Sequence, residues 1–400
     1  MRKIPIDYAS PGMINARTIY SSEGRVLLAA GVELNDYYLQ RLSDLEIHSI
    51  YIRDEITSDL TIPEVVLEKT RVEATNNFRQ IFNQMKTSCS LNTKAARQVV
   101  DQLLDEVLSN PNTLVHLTDI RAFDDYIFNH SVNVCILSLM TGVSMSLNTI
   151  QLRDLGVGAL LHDIGKIDLP REILDKPGRL TQEEFEKVKR HTTNGFDILR
   201  QYTDISLLSS HVAFQHHERY DGTGYPRGLT ISDIHEYARI VAVTNAYDAM
   251  LSDRSYRAPL LPCDAVRELT RGAYTQFDPQ VVAALLENIA IYPVGSLVQL
   301  SSQEIGIVVD VNKHSLNKPV VRLVVDNSGR PVAESREIDL DKFHSVFISR
   351  VFSDQVSYSL LRELGEGKVL NLDPALLDRL EVKARHARKK TPRVLSGSGA

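Results

Sequence analysis

The segment from Leu152 to Lys166 constrains the fold most, because it places titratable groups where an apolar helix face is expected. Leu155, Ala159 and His162 fall at i, i+4 and i+7, on one side of a helix. Asp163 lies one step round. Gly165 can supply a left-handed residue that ends the helix, and Lys166 then projects from its C-terminal end. One helix thus delivers an imidazole, a carboxylate and an ammonium to one place. Burying such groups unpaired is costly, and a metal ion offsets that cost by taking lone pairs from both imidazole and carboxylate.

Taken alone, His162-Asp163 reads as a hydrogen-bonded core pair. Three further sites change the balance. His130 follows Phe128 and precedes Val132 and Val134; His191 precedes Phe196, Ile198 and Leu199; His216-His217 ends the run from His211 to Glu218. Each alone reads as a core or cap histidine. Together they place five histidines and an aspartate in one helix-rich region. Imidazole and carboxylate donors suit iron, zinc, manganese or nickel rather than a calcium or magnesium cage. A bridging carboxylate can hold two such ions, an arrangement that activates a water and polarises a phosphoryl oxygen. A lysine beside it would hold a phosphate as a point charge. The chemistry implied is phosphoester hydrolysis.

The rest of the composition narrows the class. A length of 400 residues allows two or three domains, and 43% hydrophobic with 24% charged residues is ordinary for a globular protein. The formal net charge of -6 argues against a nucleic-acid partner. Cys89, Cys135 and Cys263 lie far apart with no CxxC pair, which fits a reducing, cytoplasmic setting. Met1 to Gly12 lacks the apolar core of a signal peptide. The longest apolar stretch, Val132 to Leu147, is interrupted by Asn133, Ser138, Thr141, Ser144 and Ser146 and reads as too short and too polar for a transmembrane segment.

Along the chain, residues 1–60 read as a small mixed α/β unit. It has strands over Met13 to Tyr20 and Arg25 to Ala29, a helix from Asp36 to Leu45 and a strand from Ser49 to Ile52. Residues 61–110 are amphipathic and polar. They are taken as a helical hairpin packed on the next domain; the alternative is a signalling or dimerisation pair, which would imply a homodimer. Residues 111–290 form the helical domain with the histidines. Residues 291–352 read as a small β domain, with β-branched runs at Leu297 to Leu300, Ile305 to Val311 and Val320 to Val325. Residues 353–400 read as a helix and a basic, solvated tail.

His162-Asp163-Ile164-Gly165-Lys166 resembles the HD signature of the HD phosphohydrolase superfamily. His216-His217-Glu218-Arg219-Tyr220-Asp221-Gly222-Thr223-Gly224-Tyr225-Pro226 resembles the second signature of its HD-GYP family. Lys176 to Thr181 and Ser252 to Arg257 are similar to that family too. The ordered set covers roughly residues 120 to 285 and is far more specific than the HD pair alone. The resemblance implies a mainly α fold, with an HD-type helical bundle between the small N-terminal unit and the C-terminal β domain. It also implies hydrolysis of cyclic di-GMP to pGpG or GMP with two divalent metal ions. Carried over by position, the metal ligands are His130, His162, Asp163, His191, His216 and His217, with Asp163 bridging. Lys166 would contact the scissile phosphate. Tyr225, on a loop that Gly222 and Gly224 let approach the ligand, would touch substrate, and Arg254 and Arg257 would meet phosphates or guanines.

Two positions depart from the family pattern. Where trinuclear members carry a glutamate before the first histidine, this chain has Tyr126, so a dinuclear site is expected. Where the family has its last ligand aspartate, this chain has Asn245, an amide that can coordinate but brings no charge. Asp248, one turn on, matches a separate family aspartate and is not taken as a ligand. Asn245 leaves a second reading, a degenerate module that binds cyclic di-GMP or docks a partner such as a diguanylate cyclase. A third is hydrolysis of another nucleotide, such as another cyclic dinucleotide or a nucleoside polyphosphate, and the Gly-Tyr-Pro loop argues against the polyphosphate.

Overall fold

The computed structural model describes all residues except Ser22, Glu46, Glu55, Asn112, 116–125, Asp175, Pro177, 253–258, His314, His344 and 391–400. The protein is mainly helical. A helical bundle sits between a small N-terminal α/β unit and a C-terminal β-sheet domain.

The N-terminal unit has a three-stranded antiparallel sheet in the order β1 (Arg2–Pro5), β5 (Ser49–Arg53), β2 (Ile14–Asn15), beside a hairpin of β3 (Ile19–Tyr20) and β4 (Val26–Leu28). The helix expected here is α1 (Asp36–Asp44), whose Asn35 side chain accepts from Tyr38 N. The expected strand from Met13 to Tyr20 is split into β2 and β3, and β1 was not foreseen.

The polar region folds as the expected hairpin, α2 (Glu68–Ser88) and α3 (Thr93–Ser109). It packs on the bundle, α2 against α4 (Tyr126–Ser144) and α3 against α5 (Thr149–Leu161). The bundle continues through α6 (Arg171–Leu174), α7 (Gln182–Lys189), α8 (His191–Leu199), α9 (Leu207–Gln215), α10 (Glu236–Leu251), α11 (Pro262–Gly272) and α12 (Pro279–Leu286). By length and composition α4 could cross a membrane after all: the window Ile127–Ser144 is long and apolar enough. Its apolar surface is spent inside the fold, where 78% of that window is buried and Val132, Val134, Leu137 and Leu139 join the bundle core.

The C-terminal sheet is antiparallel in the order β10 (Ile348–Val351), β6 (Leu297–Leu300), β7 (Ile305–Asp310), β8 (Val320–Val325), β9 (Pro331–Asp339). β6 to β8 match the expected runs. β9 is a mostly exposed edge strand rich in polar residues, so it lacks the apolar alternation that announces a strand. After the sheet come α13 (Asp354–Gly365) and α14 (Pro374–Lys390). Tyr358 of α13 enters the core of the N-terminal unit and its ring lies 5.1 Å from that of Tyr8.

Candidate metal centre

Helix ends build this site. The last carbonyls of a helix have no intrahelical donor, and three histidines use them. His162, just past α5, lies 2.7 Å through Nδ1 from Ala159 O. His191, just past α7, lies 2.6 Å from Val188 O, and His216, just past α9, lies 3.0 Å from Ala213 O. A carbonyl only accepts, so in each ring Nδ1 carries the hydrogen and Nε2 is left as a lone pair. On α4, His130 turns Nδ1 to Asp248 Oδ2 at 2.6 Å, which fixes its ring in the same sense.

The Nε2 atoms of His162, His191 and His216 converge on Asp163. Its Oδ2 is 3.3 Å from His162 Nε2, and its Oδ1 is 3.4 Å from His191 Nε2 and 3.8 Å from His216 Nε2. The donors fall into two groups, His130 with His162 and Asp163, and His191 with His216 and His217, each with ligand atoms within 4.8 Å of one another. His162 Nε2 and Asp163 Oδ1 are buried without a hydrogen-bond partner. His191 Nε2 and His216 Nε2 stand 3.2 Å apart, two lone pairs facing each other. Such an arrangement is unfavourable unless a cation lies between the donors. The donor set therefore fits divalent metal.

Electrostatics point the same way. Burial pushes His130, His216 and His217 down from the ordinary histidine range, and His191 down to about 4. The rings are thus neutral and able to ligate at neutral pH. Burial works against the Asp163 carboxylate, but the Lys166 ammonium beside it holds Asp163 well below the usual carboxylate range.

The segment after Asp163 differs from the expectation. Gly165 is not a left-handed terminator; it lies inside a short 3-10 helix, Ile164–Asp168. Glycine is required there because a Cβ would run into the backbone carbonyl of His191 and the amide nitrogen of Gly195. That close approach locks Asp163 against the start of α8. Lys166, on the same turn, donates from Nζ to Asp163 Oδ2 at 2.5 Å.

The Gly-Tyr-Pro loop closes one side. The Tyr225 ring stacks on His217, centroids 4.7 Å apart at 22°. Gly222 has φ +79°, and a Cβ on Gly224 would strike the backbone of His217, Glu218 and Arg219. The loop's own folding thus accounts for both glycines. Asn245 is half-buried on α10, three residues before Asp248. Arg254 and Arg257 lie outside the described residues.

Sequence reasoning left two carboxylates without a role. Buried Asp248 accepts from Asn133 Nδ2 at 3.0 Å as well as pairing with His130, so it positions that ring. Buried Glu218 accepts from the backbone of Arg227 at 2.8 Å and of Leu229 at 2.9 Å, which pins the loop that carries Tyr225. The signal for Asp248 was present, a lone carboxylate in the apolar run from Ile240 to Met250.

The sequence matches the family described as HD domain over residues 104–281. It matches the family described as KOW domain associated with HD domain over residues 297–357, which refines the small β domain. It is 37% identical over 262 residues to the cyclic di-GMP phosphodiesterase PA4108 of Pseudomonas aeruginosa, covering 66% of this chain and 63% of that protein. To a cyclic di-GMP phosphodiesterase of Thermotoga maritima it is 36% identical over 233 residues, 56% of this chain and 63% of that protein. To the 3'3'-cGAMP-specific phosphodiesterase 3 of Vibrio cholerae it is 32% identical over 174 residues, 44% of this chain and 38% of that protein. The chain thus spans a little under two thirds of the first two of these relatives. With the buried His-Asp cluster and the Gly-Tyr-Pro loop beside it, these matches show that the chain carries an HD domain over residues 104–281.

Proposed function

We propose that this chain hydrolyses cyclic di-GMP, to pGpG or GMP, at a centre of two divalent transition ions. The observation that supports this most is the placing of Asp163, with one oxygen toward His162 and the other toward His191 and His216. On this reading His130, His162 and Asp163 would hold one ion, and His191, His216 and His217, with Asp163 shared, would hold the other. Asn245 adds an uncharged ligand. Iron, manganese, zinc or nickel suits these donors. When bound, such a pair lowers the pKa of a water and polarises a phosphoryl oxygen.

The chain's own residues then bind and orient the diester. Lys166 Nζ, next to Asp163, exchanges that contact for an oxygen of the scissile phosphate. Burial pushes the Tyr225 phenol up, so it keeps its proton and donates to substrate. Gly222 and Gly224 keep the loop close, and Arg254 and Arg257 meet phosphates or guanines. The printed activities of the relatives, on cyclic di-GMP and on 3'3'-cGAMP, support a cyclic dinucleotide as substrate. A cytoplasmic site of action belongs to the same proposal, supported by free Cys89, Cys135 and Cys263.

The test is elemental analysis and turnover of both cyclic dinucleotides. Wild type is expected to hold close to two ions per chain and to prefer cyclic di-GMP. Asp163→Ala should lose both ions; full metal content in that variant would end the bridging role. Lys166→Ala should keep its metal and lose about 10²-fold or more in kcat. Binding of cyclic di-GMP without turnover by fully loaded wild type would replace the enzyme by the degenerate binding module.

A further inference from the structure

One helix reaches the centre without holding a ligand. At the start of α7, the Thr181 hydroxyl accepts from Glu184 N at 3.2 Å and the Glu184 carboxylate accepts from Thr181 N at 2.7 Å. Lys176 Nζ donates to both Glu184 oxygens, at 2.8 and 2.6 Å. At the other end, Val188 O takes the Nδ1 hydrogen of His191. The helix is therefore capped at its start and tied to the candidate ligand His191 at its end.

Its sequence is charged, Gln182 to Lys189, yet it carries Phe185 with 39% of its surface exposed. That exposure gives up burial that apolar rings gain elsewhere in the fold. The Phe185 ring meets the Tyr225 ring at 6.2 Å and 80°, edge to face. Lys189 Nζ lies 4.9 Å from the centroid of Phe185 and 5.6 Å from that of Tyr225. Imidazole, phenol and phenyl thus run outward from His217, with an ammonium beside the outer two rings. The local partner of Lys189, Glu186 at 2.8 Å, is half exposed, and an exposed pair three residues apart is weak enough for a phosphate to displace.

We propose that Phe185 and Lys189 form the outer wall of the substrate site. Phe185 stacks a purine of the distal half of the cyclic dinucleotide, and Lys189 holds its second, uncleaved phosphodiester. This rests on the substrate class given under Proposed function. Both are specificity residues, since neither belongs to the ligand clusters.

The test compares wild type, Phe185→Leu, Lys189→Gln and Phe185→Trp. Each is assayed on cyclic di-GMP and on bis(4-nitrophenyl) phosphate, a diester with no second phosphate and no purine. In the first two variants the ratio of kcat/KM for cyclic di-GMP to that for the small diester should fall about five- to thirty-fold, mainly through KM. Phe185→Trp should keep the ratio. An unchanged ratio overturns the proposal. So does an equal loss on both substrates, which would mean that the two residues only brace Tyr225. Wild type that cleaves the small diester but neither binds nor cleaves cyclic di-GMP defeats the substrate reading and this inference together. That result is visible before any variant is made.

Discussion

Each of His162, His191 and His216 stands within two residues of a helix end and uses that end's orphaned carbonyl to choose its tautomer. His130 lies inside a helix, where no carbonyl is free, and needs a side chain instead. Asp248 supplies it from 118 residues away. Removing the Asp248 charge should free the ring and lower its basicity. Asp248→Asn is expected to weaken metal binding about 10- to 100-fold. Asn245→Asp should act in the opposite sense, raising occupancy and turnover, because in the proposed centre a single carboxylate among imidazole donors would leave two divalent ions with excess positive charge. Metal titration of both variants checks this. Unchanged affinity in Asp248→Asn would mean that the His130 ring is held by other contacts, and no response in Asn245→Asp would remove Asn245 from the ligand set.

At the level of elements, the centre depends on how closely the 3-10 helix Ile164–Asp168 approaches α8. A methyl group at Gly165 has no room against the His191 carbonyl and the Gly195 amide, which are backbone atoms that cannot turn aside. Gly165→Ala is therefore expected to cost about 1–3 kcal/mol, the usual range for overpacking. It should also separate Asp163 from His191 and lower metal content. Urea unfolding and elemental analysis together check this, and a variant with wild-type midpoint and full metal would contradict the packing account. The sequence alone suggested a left-handed stop at this glycine, because an i, i+4, i+7 pattern ending in glycine has that ordinary explanation. Only the partner helix shows the other reason.

At the scale of the whole molecule, the bundle keeps several imidazoles neutral by burying them. His191 is pushed down to about 4, against about 6.5 in an unfolded chain, and His130, His216 and His217 shift in the same direction. Between those two values the unfolded chain binds more protons than the folded one. Stability of the metal-free protein should therefore be full above pH 6.5 and fall as the pH drops toward 4. Chelator-treated protein unfolded in urea across that window tests it; a midpoint independent of pH would show that the rings are not held neutral. The N-terminal unit and α13 also meet at this scale. Tyr358 of α13 completes the core of the N-terminal unit, so the C-terminal helices are not an appendage to the sheet.

Residue type and order were enough to read the helix-rich class, the hairpin of α2 and α3, three of the five C-terminal strands and the imidazole and carboxylate groups that the fold brings together. Those features are local, since periodicity, apolar runs and ligand chemistry are carried by short segments. The edge strand β9 escaped because an exposed strand needs no apolar face. Tertiary structure decided the rest. The turning of Asp163 between two histidine groups, the pairing of Asp248 with His130 and the anchoring of Glu218 under the Gly-Tyr-Pro loop all join groups through packing. The orientation of a buried carboxylate is set by whichever donors surround it, and those come from helices far apart in the chain.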